Sequence, residues 1–206
     1  MTGPALAGGV QVGPVTLDRL ELYLRLLEKW NPAINLVSAA TLPDAWHRHV
    51  IDSLQFLEAS PLQSGRWVDL GSGGGFPGLV VAIAAAERRP ELRVTLVEAD
   101  KRKAEFLRTV SRETEVPVTV LTERIEKLAP QRADVLSARA LSPLTQLVAY
   151  ASVHLGPGGV ALFAKGANWQ PEVLAARAHW TFDLKEHASM TDPTAVVLEI
   201  HGIEHG

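Results

Sequence analysis

With 206 residues, 47% of them hydrophobic and 21% charged, the chain is long enough for one soluble domain with a small appendage, and it can bury its core without cross-links. It contains no cysteine, which excludes disulfides, thiolate metal sites and cysteine nucleophiles, and its net charge of -3 requires any nucleic-acid partner to be met by a local basic patch. No run approaches the ~18 apolar residues of a membrane span, and the start lacks the basic-then-apolar pattern of a signal peptide, so a cytoplasmic protein is expected.

Residues 1–13 are Gly/Ala-rich and read as a flexible start. Leu17, Leu20, Leu24 and Leu27 then recur at helical spacing, with charged residues between them. The pattern predicts an amphipathic helix with Thr16 as its N-cap, ended by Asn31-Pro32. Residues 41–58 read as a second helix, stopped at Ser60-Pro61. From Arg66 strands and helices alternate. Strands are predicted at 67–70, 92–98, 117–121, 134–137, 159–164, 181–184 and 195–200, and helices at 78–87, 101–114 and 143–155. This order implies an α/β fold, a mainly parallel seven-stranded sheet flanked by helices, with its ligand at the carboxyl ends of the strands. The ending His201-Gly202-Ile203-Glu204-His205-Gly206 reads as a mobile tail rather than a metal site. No apolar stripe is left over, so a monomer is expected.

The chemistry concentrates at Asp69-Leu70-Gly71-Ser72-Gly73-Gly74-Gly75, between a strand and a helix. Glycines there permit a sharp turn and close approach of a ligand to the backbone. Gly73, Gly75 and Gly78 match the dinucleotide pattern G-x-G-x-x-G, whereas Gly71, Gly73 and Gly75 match the G-x-G-x-G of methyltransferases. Asp69 favours the second reading. A carboxylate opposes a pyrophosphate but suits S-adenosylmethionine, which carries an ammonium and a sulfonium. Pro77 also lacks the amide that a phosphate would use. Glu98, ending the second strand, can accept ribose hydroxyls under either reading.

Methyl transfer from a sulfonium is an in-line displacement that needs alignment above all. Pyrimidine carbon-5 chemistry needs a cysteine adduct and is excluded. The Asn/Asp-Pro-Pro-aromatic turn used for exocyclic amines is missing, since the region after the fourth strand reads Ser137-Ala138-Arg139-Ala140. Guanine N7 has a lone pair and no proton to lose, so it needs no general base, and no catalytic base is assigned. Arg139 can clamp a phosphate or a guanine edge. A small-molecule or protein methyltransferase, an NAD-binding oxidoreductase and a non-catalytic cofactor sensor remain open from these residues.

Together with Lys29-Trp30-Asn31, His47-Arg48-His49-Val50-Ile51-Asp52-Ser53-Leu54, Gly75-Phe76-Pro77-Gly78, Leu96-Val97-Glu98-Ala99-Asp100-Lys101-Arg102-Lys103 and Lys165-Gly166, these motifs span nearly the whole chain. On them the chain resembles the bacterial glucose-inhibited division protein B family, the small-subunit (16S) ribosomal RNA guanine-N7 methyltransferases. The resemblance implies a Rossmann-like class I methyltransferase unit at 61–206, with an N-terminal helical extension at 1–60. It implies S-adenosylmethionine as cofactor and 16S ribosomal RNA as partner, within a small-subunit particle. It also implies cofactor contacts at Gly71, Phe76, Ile125, Glu126 and Arg139, beside Asp69, Gly73, Gly75 and Glu98. Arg48, Lys101, Arg102, Arg139 and Lys165 are the candidates for substrate contact. His47 and His49 face different sides of a helix and lack a third ligand, so no metal is expected there. Tying the N-terminal helices to the sheet and touching RNA both fit this segment.

Overall fold

The computed structural model describes residues 5–7, 10–60 and 62–206. Part of the Gly/Ala-rich start, expected to be flexible, and Pro61 of the second stop signal lie outside the described residues. The described part of the start forms a small antiparallel pair, β1 (Ala5–Ala7) with β2 (Val10–Val12).

Helix α1 (Pro14–Ile34) begins one turn's worth of cap earlier than expected, with Gly13 as N-cap and Pro14 at the first helical position. Thr16 lies inside the first turn instead, where its amide and hydroxyl both donate to Glu87. Nor does Asn31-Pro32 stop the helix. Asn31 is buried, and its Oδ1 accepts the Leu36 and Val37 amides at 2.8 and 2.9 Å. The chain turns only at Asn35, with φ 49°. The expected helix at 41–58 is three pieces: a 3-10 stretch through Pro43, a π-helical turn at Trp46–Ile51, and α2 (Asp52–Ala59). Pro43 cannot donate to a regular helix, and the widened turn rotates His49 inward.

The alternating region folds as β3 (Gly65–Leu70), α3 (Gly78–Arg88), β4 (Leu92–Val97), α4 (Lys101–Glu113), β5 (Thr119–Leu121), β6 (Ala133–Arg139), α5 (Leu144–His154), β7 (Leu155–Lys165), α6 (Trp169–Arg177), β8 (Trp180–Ala188) and β9 (Val196–His205). The seven-stranded sheet runs β5-β4-β3-β6-β7-β9-β8. Its first five strands are parallel, and β9 runs antiparallel to both its neighbours, β7 and β8. Strand order reverses between β3 and β6, and such a switch point opens a crevice for a ligand.

Alternation along β3 divides the core. Trp67 packs with the α1–α4 side, while Val68 and Leu70 pack with Leu144, Leu147 and Val148 of α5. The C-terminal residues are not a mobile tail. They complete β9, which inserts between β7 and β8, and His201 bonds Glu199 at 2.7 Å. Glu199 also meets His187 and Lys185 across the β8 ladder at 2.5 and 3.5 Å. Main-chain pairing with β8 holds an ending whose composition alone looked unstructured, while β7 pairs with the preceding residues Val196–Ile200.

Candidate active site

Two cavities open side by side at the carboxyl ends of the parallel strands. The first, about 500 Å³, is walled by the loops after β3, β4, β5 and β6, a size within the ~300–1,000 Å³ of small-molecule sites. The second, about 590 Å³, is walled by the π turn, α2, the end of β7 and the β8–β9 turn. Leu36, Val37, Arg139 and Ala140 line both.

The glycine turn distinguishes the two ligand readings. Gly71, Gly73 and Gly75 have φ of 63°, 55° and 98°, conformations that suit glycine. Their loop's amides are largely consumed within the protein. Ser72 N–H bonds Val97 O at 3.0 Å, Gly75 N–H bonds Ser72 O at 2.7 Å, and Gly73 N–H bonds Glu98 Oε2 at 2.8 Å. Gly78 N–H points to Asp69 Oδ2 at 3.3 Å. A pyrophosphate would need those donors, and it would meet the Glu98 carboxylate besides. S-adenosylmethionine needs neither, and its positive charges suit a wall carrying Glu98, Glu123 and Glu126. A Cβ on Gly73 would find no neighbour closer than 3.7 Å. The turn is therefore open on its cavity side, and the residues present fit that cofactor.

Two residues expected to touch the cofactor do other work. Asp69 is fully buried beneath the turn, because it shares the α3-facing side of β3 with Trp67. Ser137, its register partner on β6, donates to Asp69 Oδ1 at 2.6 Å and accepts from Trp67 Nε1 at 2.9 Å. The carboxylate thus holds the start of α3 through Gly78, rather than meeting an ammonium directly. A Cβ on Gly78 would stand 2.3 Å from Leu96 and 2.7 Å from Asp69 Oδ2, so this glycine serves helix–strand contact. Gly75 also faces inward, where a Cβ would strike Leu79 and the Tyr23 hydroxyl at 2.5 and 2.7 Å.

Burial pushes the Asp69 carboxyl up to about 6, against the opposing hydrogen bonds from Ser137 and Gly78 and the Arg139 charge. The folded protein thus holds this proton more tightly than the unfolded chain, whose group titrates near 3.8. The associated stability is complete below the unfolded value and lost as pH rises through about 6. Wild type should therefore gain ~2–3 kcal/mol over Asp69→Asn between about pH 7.5 and about pH 4. Urea unfolding of both proteins across that range checks this, and a pH-independent difference would refute the buried-proton account.

The remaining candidates separate cleanly. Gly71, Gly73, Phe76, Glu98, Ile125, Glu126 and Arg139 line the first cavity. Glu98 bridges the glycine turn to α4, its second oxygen accepting the Asp100 amide at 2.8 Å. Glu126 is held by the Tyr150 hydroxyl on α5. Arg48, Arg139 and Lys165 line the second cavity. Lys165 is pinned by Glu172 at 2.6 Å and by the Ser142 carbonyl at 3.2 Å. Lys101 and Arg102 line neither cavity. They are exposed on the first turn of α4, while Lys103, rotated by about 200° from Lys101, reaches the wall of the first.

Arg139 joins the N-terminal helices to the sheet. Its Nη1 donates to Asp52 Oδ2 at 2.9 Å and to Arg48 O at 3.2 Å, and its Nη2 lies 3.1 Å from His49 Nδ1. Burial, and then the Arg139 charge, lowers the His49 imidazole to about 4. It is neutral near pH 7, with Nδ1 accepting from Arg139 and Nε2–H directed at Thr41 Oγ1, 2.9 Å away. Phe76 is stacked between Tyr23 and His49 at ring separations of 5.1 and 4.9 Å, and the Arg139 guanidinium lies 5.1 Å from its centroid. Sequence reading missed Tyr23, whose hydroxyl donates to Gly74 O. A signal was present: Thr16, Leu20, Tyr23, Leu27 and Asn31 form the buried stripe of α1 at helical spacing. Among the described residues no group of three or more acidic or histidine side chains could hold a metal, and no helix is long and apolar enough to cross a membrane.

The family model described as "GidB: rRNA small subunit methyltransferase G" matches residues 16–198. The chain belongs to this family. A relative named "Ribosomal RNA small subunit methyltransferase G" from Ruegeria sp. (strain TM1040) is 50% identical over 195 residues, covering 95% of each chain. One of the same name from Paracoccus denitrificans (strain Pd 1222) is 52% identical, covering 91% of this chain and 96% of its own. Among solved structures, a SAM-dependent methyltransferase from Aquifex aeolicus aligns with a TM-score of 0.58 at 11% identity, covering 78% of this chain and 93% of that one. The ribosomal protein L11 methylase of Lactobacillus delbrueckii subsp. bulgaricus gives 0.57 at 18% identity, covering 72% and 75%. These last likenesses concern fold alone, and the fold is that of class I S-adenosylmethionine-dependent methyltransferases.

Proposed function

We propose that the chain transfers a methyl group from S-adenosylmethionine to N7 of a guanine in 16S ribosomal RNA. We place the reaction in the cytoplasm, on a small-subunit particle, with the enzyme acting as a monomer. The observation that carries the reading is the pair of cavities meeting at Arg139, one fitted to the cofactor and one left for the acceptor. Family membership supplies the substrate class.

The cofactor supplies a methyl carried on a sulfonium. The protein's part is to align an acceptor lone pair with that methyl and to exclude water. Gly71, Gly73, Phe76 and Glu98 would hold the cofactor's turn side, and Ile125 and Glu126 its adenine side. The four residues that line both cavities, Leu36, Val37, Arg139 and Ala140, carry no side-chain proton acceptor, and His49 beside them already receives the Arg139 N–H on Nδ1. That suits N7, which has no proton to give up. Arg48 and Lys165, at the second cavity, are the proposed phosphate contacts, and each should contribute to a binding constant that falls with salt. Segment 1–60 acts in this reading as a wall built onto the methyltransferase unit 61–206, since it supplies eight of the nineteen residues that line the acceptor cavity, Arg48, His49, Asp52 and Gln55 of the π turn and α2 among them.

The test is transfer of radiolabelled methyl from S-adenosylmethionine to small ribosomal subunits, to naked 16S RNA and to small molecules, with the product mapped to its nucleotide. Label at a single guanine N7 is expected, stronger on the particle than on naked RNA. Absence of label on every RNA, in a protein that binds the cofactor, would overturn the assignment.

A further inference from the structure

We propose that the second cavity receives the flipped-out target guanine and that Asp52 and Arg139 read it together. Arg139 donates to O6, Asp52 accepts from N1–H, and N7 is left free toward the first cavity. The proposal rests on the functional reading above.

Enzymes that modify a base take it out of its stack and read its Watson–Crick edge. Taken as a whole the cavity is charge-balanced and suits a neutral base, with Arg48 and Lys165 at its wall for the flanking phosphates. Arg48, Arg139 and Lys165 are balanced by Asp52, Glu172 and Asp192, and His49 between them is neutral. The commonest arginine contact to guanine takes O6 and N7 together. Here it would cover the nucleophile, so the base must be held by O6 and the edge beyond it.

The free valences match that requirement. Three of Arg139's N–H groups are engaged, by Asp52, the Arg48 carbonyl and His49, which leaves two of the five a guanidinium carries. Asp52 Oδ1 is filled by Gln55 and Thr191, each at 2.9 Å, whereas Oδ2 accepts only from Arg139 and keeps a lone pair. The two free N–H groups are on Nη2 and Nε, on the same guanidinium whose Nη1 holds Asp52 Oδ2 at 2.9 Å, so a donor and an acceptor stand side by side beside the cavity, as O6 and N1–H require. Adenine reverses both signs, setting its N6 amino group against the guanidinium and its N1 lone pair against the carboxylate. The Asp52 carboxylate is held in place by its neighbours in the cavity wall. Thr191 on the β8–β9 turn bonds it directly, and Gln55 bonds both it and the Met190 amide.

The probe is guanosine 5′-monophosphate, with adenosine 5′-monophosphate and 1-methylguanosine 5′-monophosphate as comparisons. Binding to the full chain is followed by saturation-transfer NMR, with the cofactor site filled by S-adenosylhomocysteine. The guanine nucleotide should bind at least roughly tenfold more tightly than either comparison. Asp52→Ala should erase the preference while leaving S-adenosylhomocysteine affinity unchanged, and Thr191→Val should keep it. The 1-methyl comparison tests the acceptor on wild-type protein, so the outcome does not hang on how a variant folds. Equal binding of the three nucleotides, no detectable binding, or a preference that survives Asp52→Ala would overturn the assignment. Methyl transfer to small subunits separates the two readings: label at a guanine N7 without nucleotide preference removes Asp52's role and leaves the function standing.

Discussion

Gly73→Val should weaken binding of S-adenosylmethionine and S-adenosylhomocysteine by at least ~100-fold, the cost of a bulky group in a tightly fitted site. The turn holds Gly73 at φ 55°, and the nearest atom to an added Cβ is Gly71 O at 3.7 Å. The protein alone therefore has room for the first carbon, and the branched side chain would extend into the cofactor cavity that Gly73 lines. A β-branched residue at positive φ adds strain of ~1–3 kcal/mol, so the fold should survive with a lower unfolding midpoint. Isothermal titration with S-adenosylhomocysteine, below the melting range of the variant, gives the result. Wild-type affinity in a folded Gly73→Val protein would remove the glycine turn from the cofactor site. Gly71→Ala is a weaker test, since its Cβ would meet the Leu141 side chain at 2.5 Å and mix a packing effect with a binding one.

Arg139→Ala should lower kcat/KM on small subunits by ~100-fold or more, in the range seen when one preorganised donor is lost from an active site. The guanidinium lines both cavities and binds Asp52, His49 and the Arg48 carbonyl at once. Its loss leaves Asp52 with Gln55 and Thr191 but without its cation. Both members of that pair are about a fifth exposed, with side-chain exposures of 17% and 19%. The stability cost should stay at ~1–3 kcal/mol, as for a charged hydrogen bond with some access to water. Steady-state kinetics with a denaturation curve on the same preparation separates the two effects. Arg139→Lys should not restore activity, because an ammonium cannot hold three acceptors in the planar fork that a guanidinium provides. A fully active Arg139→Ala would reduce the residue to a tie between the N-terminal helices and the sheet.

The local pattern was enough for the frame. Apolar runs broken by turn residues announced all seven sheet strands, and the glycines at 71, 73 and 75 announced a turn that needs positive φ. These features depend on neighbours in the chain: helical spacing, strand alternation and the φ a turn demands. Tertiary contact decided the rest. Asp69 and Gly75 sit in the recognisable turn, yet they face the protein interior, because Ser137, Gly78, Leu79 and Tyr23 pack against them. Lys103 rather than Lys101 reaches the cavity, a matter of which side of α4 meets the sheet. The C-terminal residues became the end of β9 because β8 supplied their hydrogen-bonding partners, with β7 on the other side of Val196–Ile200. The Asp52–Arg139 pair joins groups 87 residues apart. A periodic pattern shows that a residue will be buried or exposed, but not which distant group it will meet. That pairing exists only once the π turn and α2 have docked beside the carboxyl end of β6.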